Sequence, residues 1–148
     1  MDGPAYFDPN ESLGFHCNLT VKAFLSKWER KLRGTGVSLN QLVALGHLIA
    51  SGPLGQSELV GRLSITGAAG VRLVDRMEHN GWVRREPDPK DGRVKLVVPT
   101  DKAIQVWKEV SRTGGCQAVL DQAYRGIEPA EIETVKRVLE KIRKNLEK

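Results

Sequence analysis

The stretch of sequence that decides the fold runs from Thr66 to Thr100 and reads TGAAGVRLVDRMEHNGWVRREPDPKDGRVKLVVPT. Its first part is expected to be a helix that opens at Thr66, a good N-cap, and ends at Asn80-Gly81, where glycine can adopt the left-handed conformation. Two short runs with strand propensity follow, WVRRE and RVKLVV, and the turn-forming PDPKDG separates them. The stretch therefore predicts a helix followed at once by a charged β-hairpin.

A helix-turn-helix is predicted directly before the hairpin. The segment GQSELVGRLS reads as a short helix, and a tight turn joins it to the helix that opens at Thr66. Further upstream, Ser38 and Gln41 stand in the arrangement of a capping box, and the helix that they open stops at Gly52-Pro53. A helix-turn-helix followed by a hairpin is the layout of a winged helix, in which a helix can enter the major groove of DNA while the hairpin tip reaches a flanking minor groove.

Longer helices are expected on both sides of the winged helix. Apolar residues recur at helical spacing from Leu13 to Leu32, with Asn10 as the expected N-cap. A last helix starts near Pro129 and carries an a/d-like apolar seam that is about two heptads long. Because so short a seam does not form an independent coiled coil, we expect this helix to pack with the N-terminal one.

Between the hairpin and the last helix, Thr100 can cap a long helix that reaches about Gly126. Gly114-Gly115 interrupts this helix, and a kink is expected there. The fold class that follows is mainly α with a small β-hairpin wing, and it contains about six helices.

The composition excludes several classes of protein. With 148 residues, 40% of them apolar and 28% charged, the chain has the composition of a soluble globular protein. Its apolar stretches are far shorter than the ~20 residues that span a bilayer, and no signal-peptide pattern opens the chain, so we expect a cytoplasmic protein with no membrane partner. Because no HExxH motif, GxSxG motif or phosphate-binding loop is present, we expect no catalytic site, no metal and no cofactor.

The charge of the chain is concentrated where the winged helix is predicted. The formal net charge is +5, and the segment from Arg62 to Lys95 contains eight basic residues against five acidic ones. Most of these basic residues are arginines, whose forked side chain suits contacts with phosphate and guanine. The charge therefore permits a nucleic-acid partner without requiring one.

The segment from Arg72 to Thr100 resembles the MarR family, the multiple-antibiotic-resistance type of winged-helix transcription regulators. The motifs LVDRM, GWV and DPKDGR and the threonine that opens the next helix occur in the family's order and spacing. The resemblance implies a regulator, a repressor, that binds double-stranded DNA as a homodimer on a near-palindromic operator. It also implies a helical dimerisation region in residues 1–36 and 100–148 and a DNA-binding domain in residues 37–99.

The resemblance also implies which residues contact DNA. On the helix that reads the bases, the candidates are Thr66, Ala68, Ala69, Val71, Arg72 and Arg76. On the wing, the candidates are Lys90, Asp91, Arg93 and Lys95. Arg93 matches the family's minor-groove arginine, and Asp91 matches the acid that orients the wing. The family usually carries a hydroxyl-bearing or branched residue where Gly70 stands, and glycine at this position is expected to weaken the helix.

Small-molecule control is a further implication of the resemblance. Family members often release DNA when a small aromatic acid or phenol enters a cleft between the dimerisation and DNA-binding parts. By position, that cleft would be lined by Phe15, His16, Leu19 and His47. For each of these residues, ordinary packing or surface exposure is the alternative.

Two other functions remain open on the sequence alone. One branch of the family senses organic hydroperoxides through a cysteine in the first helix, and Cys17 with Cys116 has a similar placement. However, Cys17 lies on the apolar stripe of its helix, where a cysteine is usually inert packing. The second alternative is a winged helix that docks another protein and does not bind DNA.

Overall fold

The computed structural model describes residues 8–147. The opening residues, on which the expectation of no secretory signal rests in part, lie outside this range. Contacts divide the chain into two units, one that ends at Cys116 and one that begins at Gln117. Within the described range, no helix combines the length and the apolar character that a membrane crossing requires.

The described residues form seven α-helices, and a 3-10 turn precedes the first of them. The helices are α1 (Leu13–Leu32), α2 (Leu39–Ser51), α3 (Gln56–Arg62), α4 (Gly67–His79), α5 (Asp101–Arg112), α6 (Gly115–Ala123) and α7 (Pro129–Leu146). The count exceeds the predicted six because the long helix after the wing is divided into α5 and α6. Each of the other helices lies where the sequence predicts it.

A small antiparallel sheet completes the winged helix. Its strands are β1 (Leu54–Gly55), β2 (Val83–Pro87) and β3 (Lys95–Pro99), in the order β1-β3-β2. β2 and β3 form the predicted hairpin, with Arg85 opposite Val97. The sequence did not predict β1, because two residues are too few to show an alternating pattern.

Side-chain caps explain where three of these helices, α2, α4 and α5, begin. Ser38 and Gln41 form both hydrogen bonds of the predicted capping box at the start of α2. Thr66 and Thr100 cap α4 and α5 through their hydroxyl oxygens. The prediction of Asn10 as the cap of α1 was wrong, because Asn10 lies in the 3-10 turn Pro9–Glu11 and Ser12 occupies the N-cap.

The predicted kink after the wing is a complete break between α5 and α6. Gly114 and Gly115 both have positive φ, 83° and 47°, which no continuous right-handed helix contains. Two side chains of α1 bind carbonyl groups at the break. Trp28 Nε1–H donates to the Cys116 carbonyl at 3.4 Å, and Lys31 Nζ donates to the Thr113 carbonyl at 2.8 Å.

The main core lies beneath the helix-turn-helix and the sheet. Its largest fully buried side chains come from α2, α3, α4 and the two wing strands, and they are Leu45, Leu48, Leu59, Val74, Met77, Val83 and Val97. Gly70 is also buried, where α4 crosses α3, and a Cβ atom at this position would lie only 2.4 Å from a methyl carbon of Val60. The glycine that departs from the family pattern therefore permits the close approach of the two helices.

Candidate nucleic-acid interface

α4 presents an exposed face of mixed apolar and cationic character. Ala68, Val71 and Arg72 lie on this face, and Arg76 follows one turn later. Val71 is 40% exposed, so part of its apolar side chain is open to solvent. Within the described range, neither Arg72 nor Arg76 forms a salt bridge with a carboxylate. The two guanidinium groups are thus available to an external anion.

The start of α4 is fixed by its cap. The hydroxyl oxygen of Thr66 accepts the backbone N–H of Ala69 at 3.3 Å, and its proton remains available as a donor. Ala69 is half-buried and turns partly toward the core, so it offers less surface than Ala68. Thr66, Ala68 and Ala69 are all candidate DNA contacts in the sequence analysis. In the structure, Thr66 and Ala68 are exposed, and Ala69 lies at the edge of the exposed face of α4.

The wing loop is shaped by two aspartates. Asp91 Oδ1 accepts the backbone N–H of Arg93 at 3.0 Å, and the Asp91 carbonyl accepts that of Val94 at 2.9 Å. Asp88 Oδ1 accepts the backbone N–H of Lys90 at 2.8 Å. Such bonds from an aspartate to the backbone two residues later stabilise tight turns. This is the geometry expected of an acid that orients the wing, and it places Arg93 in the loop between β2 and β3.

Cationic side chains surround this loop. Lys90, Arg93 and Lys95 are all exposed. They line one side of an open groove of about 970 Å³, which also borders Gln56 and Ser57 at the start of α3. Three of the four wing candidates, Lys90, Arg93 and Lys95, therefore lie together at the loop. The fourth, Asp91, fixes the backbone between them.

Arg85 is one of the eight basic residues between Arg62 and Lys95, and the sequence analysis gives it no role. Its guanidinium bonds to Gln56 on α3 and to Asp75 and Glu78 on α4, and the side chain is only 19% exposed. Burial acts to lower the pKa of Arg85, but the hydrogen bonds to Asp75 and Glu78 outweigh it, and the pKa is raised. The spacing in the sequence was the available signal for a partly buried Arg85. Arg85 lies two residues after the buried Val83, so both side chains lie on the inward face of the strand.

The residues expected to line an effector cleft are more scattered. Phe15 and Leu19 on α1 are 38% and 47% exposed, and His16 Nε2 lies 2.7 Å from the carbonyl oxygen of Asn10. His47 is half-buried on α2. None of the four lines the groove at the wing or a second cavity of about 330 Å³ between α1 and the start of α2.

The two cysteines are both free thiols, and each is partly buried. The Cys116 carbonyl is bonded to Trp28, which lies eleven residues after Cys17 on α1, or about 16 Å at the helical rise of 1.5 Å per residue. The backbone of Cys116 therefore meets α1 about three turns of helix away from Cys17. Burial also raises the pKa of the Cys116 thiol, which disfavours the reactive thiolate.

In the part of the chain that the structure describes, no three His, Cys, Asp or Glu side chains are grouped so that they could hold a metal ion.

Comparison with known proteins agrees with this geometry. A sequence profile of the MarR family matches residues 35–94, which contain the helix-turn-helix and the wing loop. The uncharacterized HTH-type transcriptional regulator YwoH of Bacillus subtilis (strain 168) is 30% identical over 102 residues, which cover 69% of this chain and 74% of YwoH.

Two solved structures are similar over almost the whole chain. BpsR of Bordetella bronchiseptica, whose DNA binding is regulated by 6-hydroxynicotinic acid, aligns with a TM-score of 0.80 at 20% identity and covers 95% of this chain and 98% of its own. PcaV of Streptomyces coelicolor, solved in complex with its natural ligand, aligns with a TM-score of 0.81 at 18% identity and covers 95% and 98%. At these identities the structures establish the fold. Together with the family profile and the identity to YwoH, they lead to one conclusion: the chain belongs to the MarR family of winged helix-turn-helix, DNA-binding transcription regulators.

Proposed function

We propose that the chain is a homodimeric transcriptional repressor that binds a near-palindromic operator and is released by a small aromatic acid or phenol. In each subunit, residues 37–99 form the DNA-binding domain, and the helices in residues 1–36 and 100–148 form the dimerisation region. α4 enters the major groove, and the wing loop reaches the flanking minor groove.

The observation that carries this proposal is the pairing of two cationic surfaces on one rigid unit. Arg72 and Arg76 project from α4 without a carboxylate partner in the described chain, and Arg93 projects from the wing that packs beside α4. Arg72 can bond to guanine or phosphate in the major groove, and Ala68 and Val71 can contact thymine methyl groups.

The wing contributes a different kind of recognition. A narrow minor groove concentrates negative potential, so Arg93 reads the shape of the groove and not a hydrogen-bond code. Lys90 and Lys95 bind phosphates, which fixes the position of the protein on the duplex but carries little sequence information. The resulting sequence preference rests mainly on α4.

A homodimer is supported by the apolar side chains that the terminal helices leave exposed. On α1 these are Leu13, Leu19 and Val21, and on α7 they are Val135, Val138 and Leu146, each at least 43% exposed. Apolar surface of this extent is typical of an interaction site. A two-fold dimer would place its two copies of α4 about one helical turn of DNA apart, which is why the operator should be near-palindromic.

A small aromatic acid is proposed as the effector because BpsR is regulated by such a compound. In the dimer, Phe15, His16, Leu19 and His47 would line the cleft that takes this effector. Aromatic and imidazole side chains suit a flat, partly polar ligand of this class.

The DNA-binding proposal predicts that Arg93→Ala weakens binding about tenfold. It also predicts that the negative slope of log affinity against log salt concentration becomes less steep by about one unit. Binding is measured by fluorescence anisotropy on a duplex selected from genomic DNA, at several salt concentrations. Arg112→Ala is the matched control, because it removes the same charge from an exposed arginine on α5. In the same assay, 6-hydroxynicotinate added to the parent complex tests the effector class.

Equal binding by the parent and Arg93→Ala, or an affinity that does not change with salt, would contradict the proposal. In that case the wing would serve another partner, and the protein-docking alternative would be favoured.

A further inference from the structure

Arg85 connects the three elements that would have to move together on DNA. Its Nε and Nη2 atoms donate to Gln56 Oε1 at 3.0 and 2.7 Å, which ties β2 to the start of α3. The same guanidinium bonds to Asp75 and Glu78, one turn apart on α4. Glu78 also accepts the backbone N–H of Arg85 at 3.3 Å. The side chain therefore joins the wing strand to both helices of the helix-turn-helix.

The hydrogen bonds leave this arginine little capacity for DNA itself. Four of its five N–H groups are already donated to protein oxygens. Arg72 and Arg93, by contrast, are exposed. Arg85 thus belongs to the scaffold between the contact residues and not to the contact surface.

The position of Arg85 along β2 gives it control over the wing. The strand ends at Pro87, only two residues later, and the wing loop with Arg93 follows. On the other strand, Val97 pairs with Arg85 and is fully buried. A change of tilt at Arg85 would therefore be carried into the loop through the two remaining residues of the strand.

We propose that Arg85 is a positioning residue for DNA binding, whose forked hydrogen bonds fix the angle between α4 and the wing so that Arg72 and Arg93 meet the duplex together. This inference rests on the proposed function. The planar guanidinium is essential to it, because one ammonium group cannot span Gln56, Asp75 and Glu78 in the same geometry.

A double-mutant cycle between Arg85 and Arg93 tests this role. In the parent background, Arg93→Ala weakens binding about tenfold. In the Arg85→Gln background, Arg93→Ala weakens binding by a further factor of less than about two. The reason is that without the Arg85 hydrogen bonds the wing is no longer oriented so that Arg93 reaches the minor groove. Arg85→Lys behaves like Arg85→Gln, since it retains the charge but not the fork. Affinity is measured on one selected duplex, at a temperature at which circular dichroism shows every variant to be folded.

Val110→Ala is the control for a purely structural effect, because Val110 is buried on α5 and takes no part in the hydrogen bonds of Arg85. This variant loses stability and keeps the tenfold effect of Arg93→Ala. If the tenfold effect of Arg93→Ala also shrinks in the Val110→Ala background, the loss of stability explains the result and the positioning role is overturned.

The remaining outcomes separate the two proposals. If the parent binds DNA but the losses from Arg85→Gln and Arg93→Ala simply multiply, or if Arg85→Lys restores full binding, the positioning role is overturned and the proposed function stands. If the parent binds no duplex DNA, both are overturned.

Discussion

Gly70→Ala is expected to lower the free energy of unfolding by about 2 kcal/mol, although alanine is the better helix former by about 1 kcal/mol. The reason is steric. The added Cβ would lie 2.4, 2.8 and 3.0 Å from three side-chain carbons of Val60. Val60 is β-branched and buried, so it cannot rotate away as the end of a long side chain could. α3 and α4 would have to separate, and this strain exceeds the gain in helix propensity.

Thermal unfolding at one fixed protein concentration measures the effect, and a loss of about 2 kcal/mol corresponds to about 6 °C in Tm for a chain of this size. Gly61→Ala is a matched control, because Gly61 also lies in a helix and nothing lies within 4 Å of its Cβ position. That variant should be as stable as the parent or more stable.

A second substitution in the same pair makes the test independent of the first. Val60→Ala in the Gly70→Ala background should restore part of the lost stability, because it removes the methyl groups that collide with the new Cβ. A Gly70→Ala protein that melts at or above the parent's Tm would contradict the close crossing of α3 and α4.

Arg72→Glu is expected to weaken DNA binding by at least about 100-fold. The substitution removes a charged hydrogen bond to the duplex and places a carboxylate among phosphates, and each change contributes a loss of its own. Stability should change little, because Arg72 is exposed and has no salt-bridge partner among the described residues. The affinity is measured on the duplex selected with the parent protein, beside a thermal melt of the variant.

Lys108→Glu provides the control for net charge. Lys108 is exposed on α5, so the substitution changes the total charge by the same two units away from α4 and the wing. It should alter DNA affinity by only a few fold, through the general attraction that salt screens. If Lys108→Glu and Arg72→Glu reduce binding equally, the loss reflects net charge and α4 does not read the duplex.

Most of the fold could be predicted from local signals in the sequence. Ser38 with Gln41, Thr66 and Thr100 are caps whose hydrogen bonds form within one turn of helix, so they act without the rest of the protein. The features that escaped prediction depend on tertiary contacts. The break at Gly114 was foreseen only as a kink, because its extent depends on the bonds from Trp28 and Lys31 across to another helix.

The candidate site was predictable to the same degree. A resemblance in sequence is enough to propose Arg72 and Arg93 as DNA contacts, and the structure leaves both side chains exposed. Arg85 could not be separated from its neighbours in that way. Its role depends on Asp75 and Glu78, which lie ten and seven residues earlier in the chain and meet it only after β2 has packed against α4. Similarly, the sequence alone indicates only a weak helix position at Gly70, because the neighbouring Val60 lies on another helix.

Chemical protection of a bound operator is the most direct test of DNA recognition by paired winged helices. Dimethyl sulfate methylates guanine N7 in the major groove and adenine N3 in the minor groove, so one reagent reports on both contacts. The parent should protect guanines in two major-groove segments whose centres lie about ten base pairs apart, and adenines in the minor grooves that flank them. A single protected segment without a symmetry mate, or guanine protection with no adenine protection beside it, would contradict the arrangement of α4 and the wing proposed for this protein.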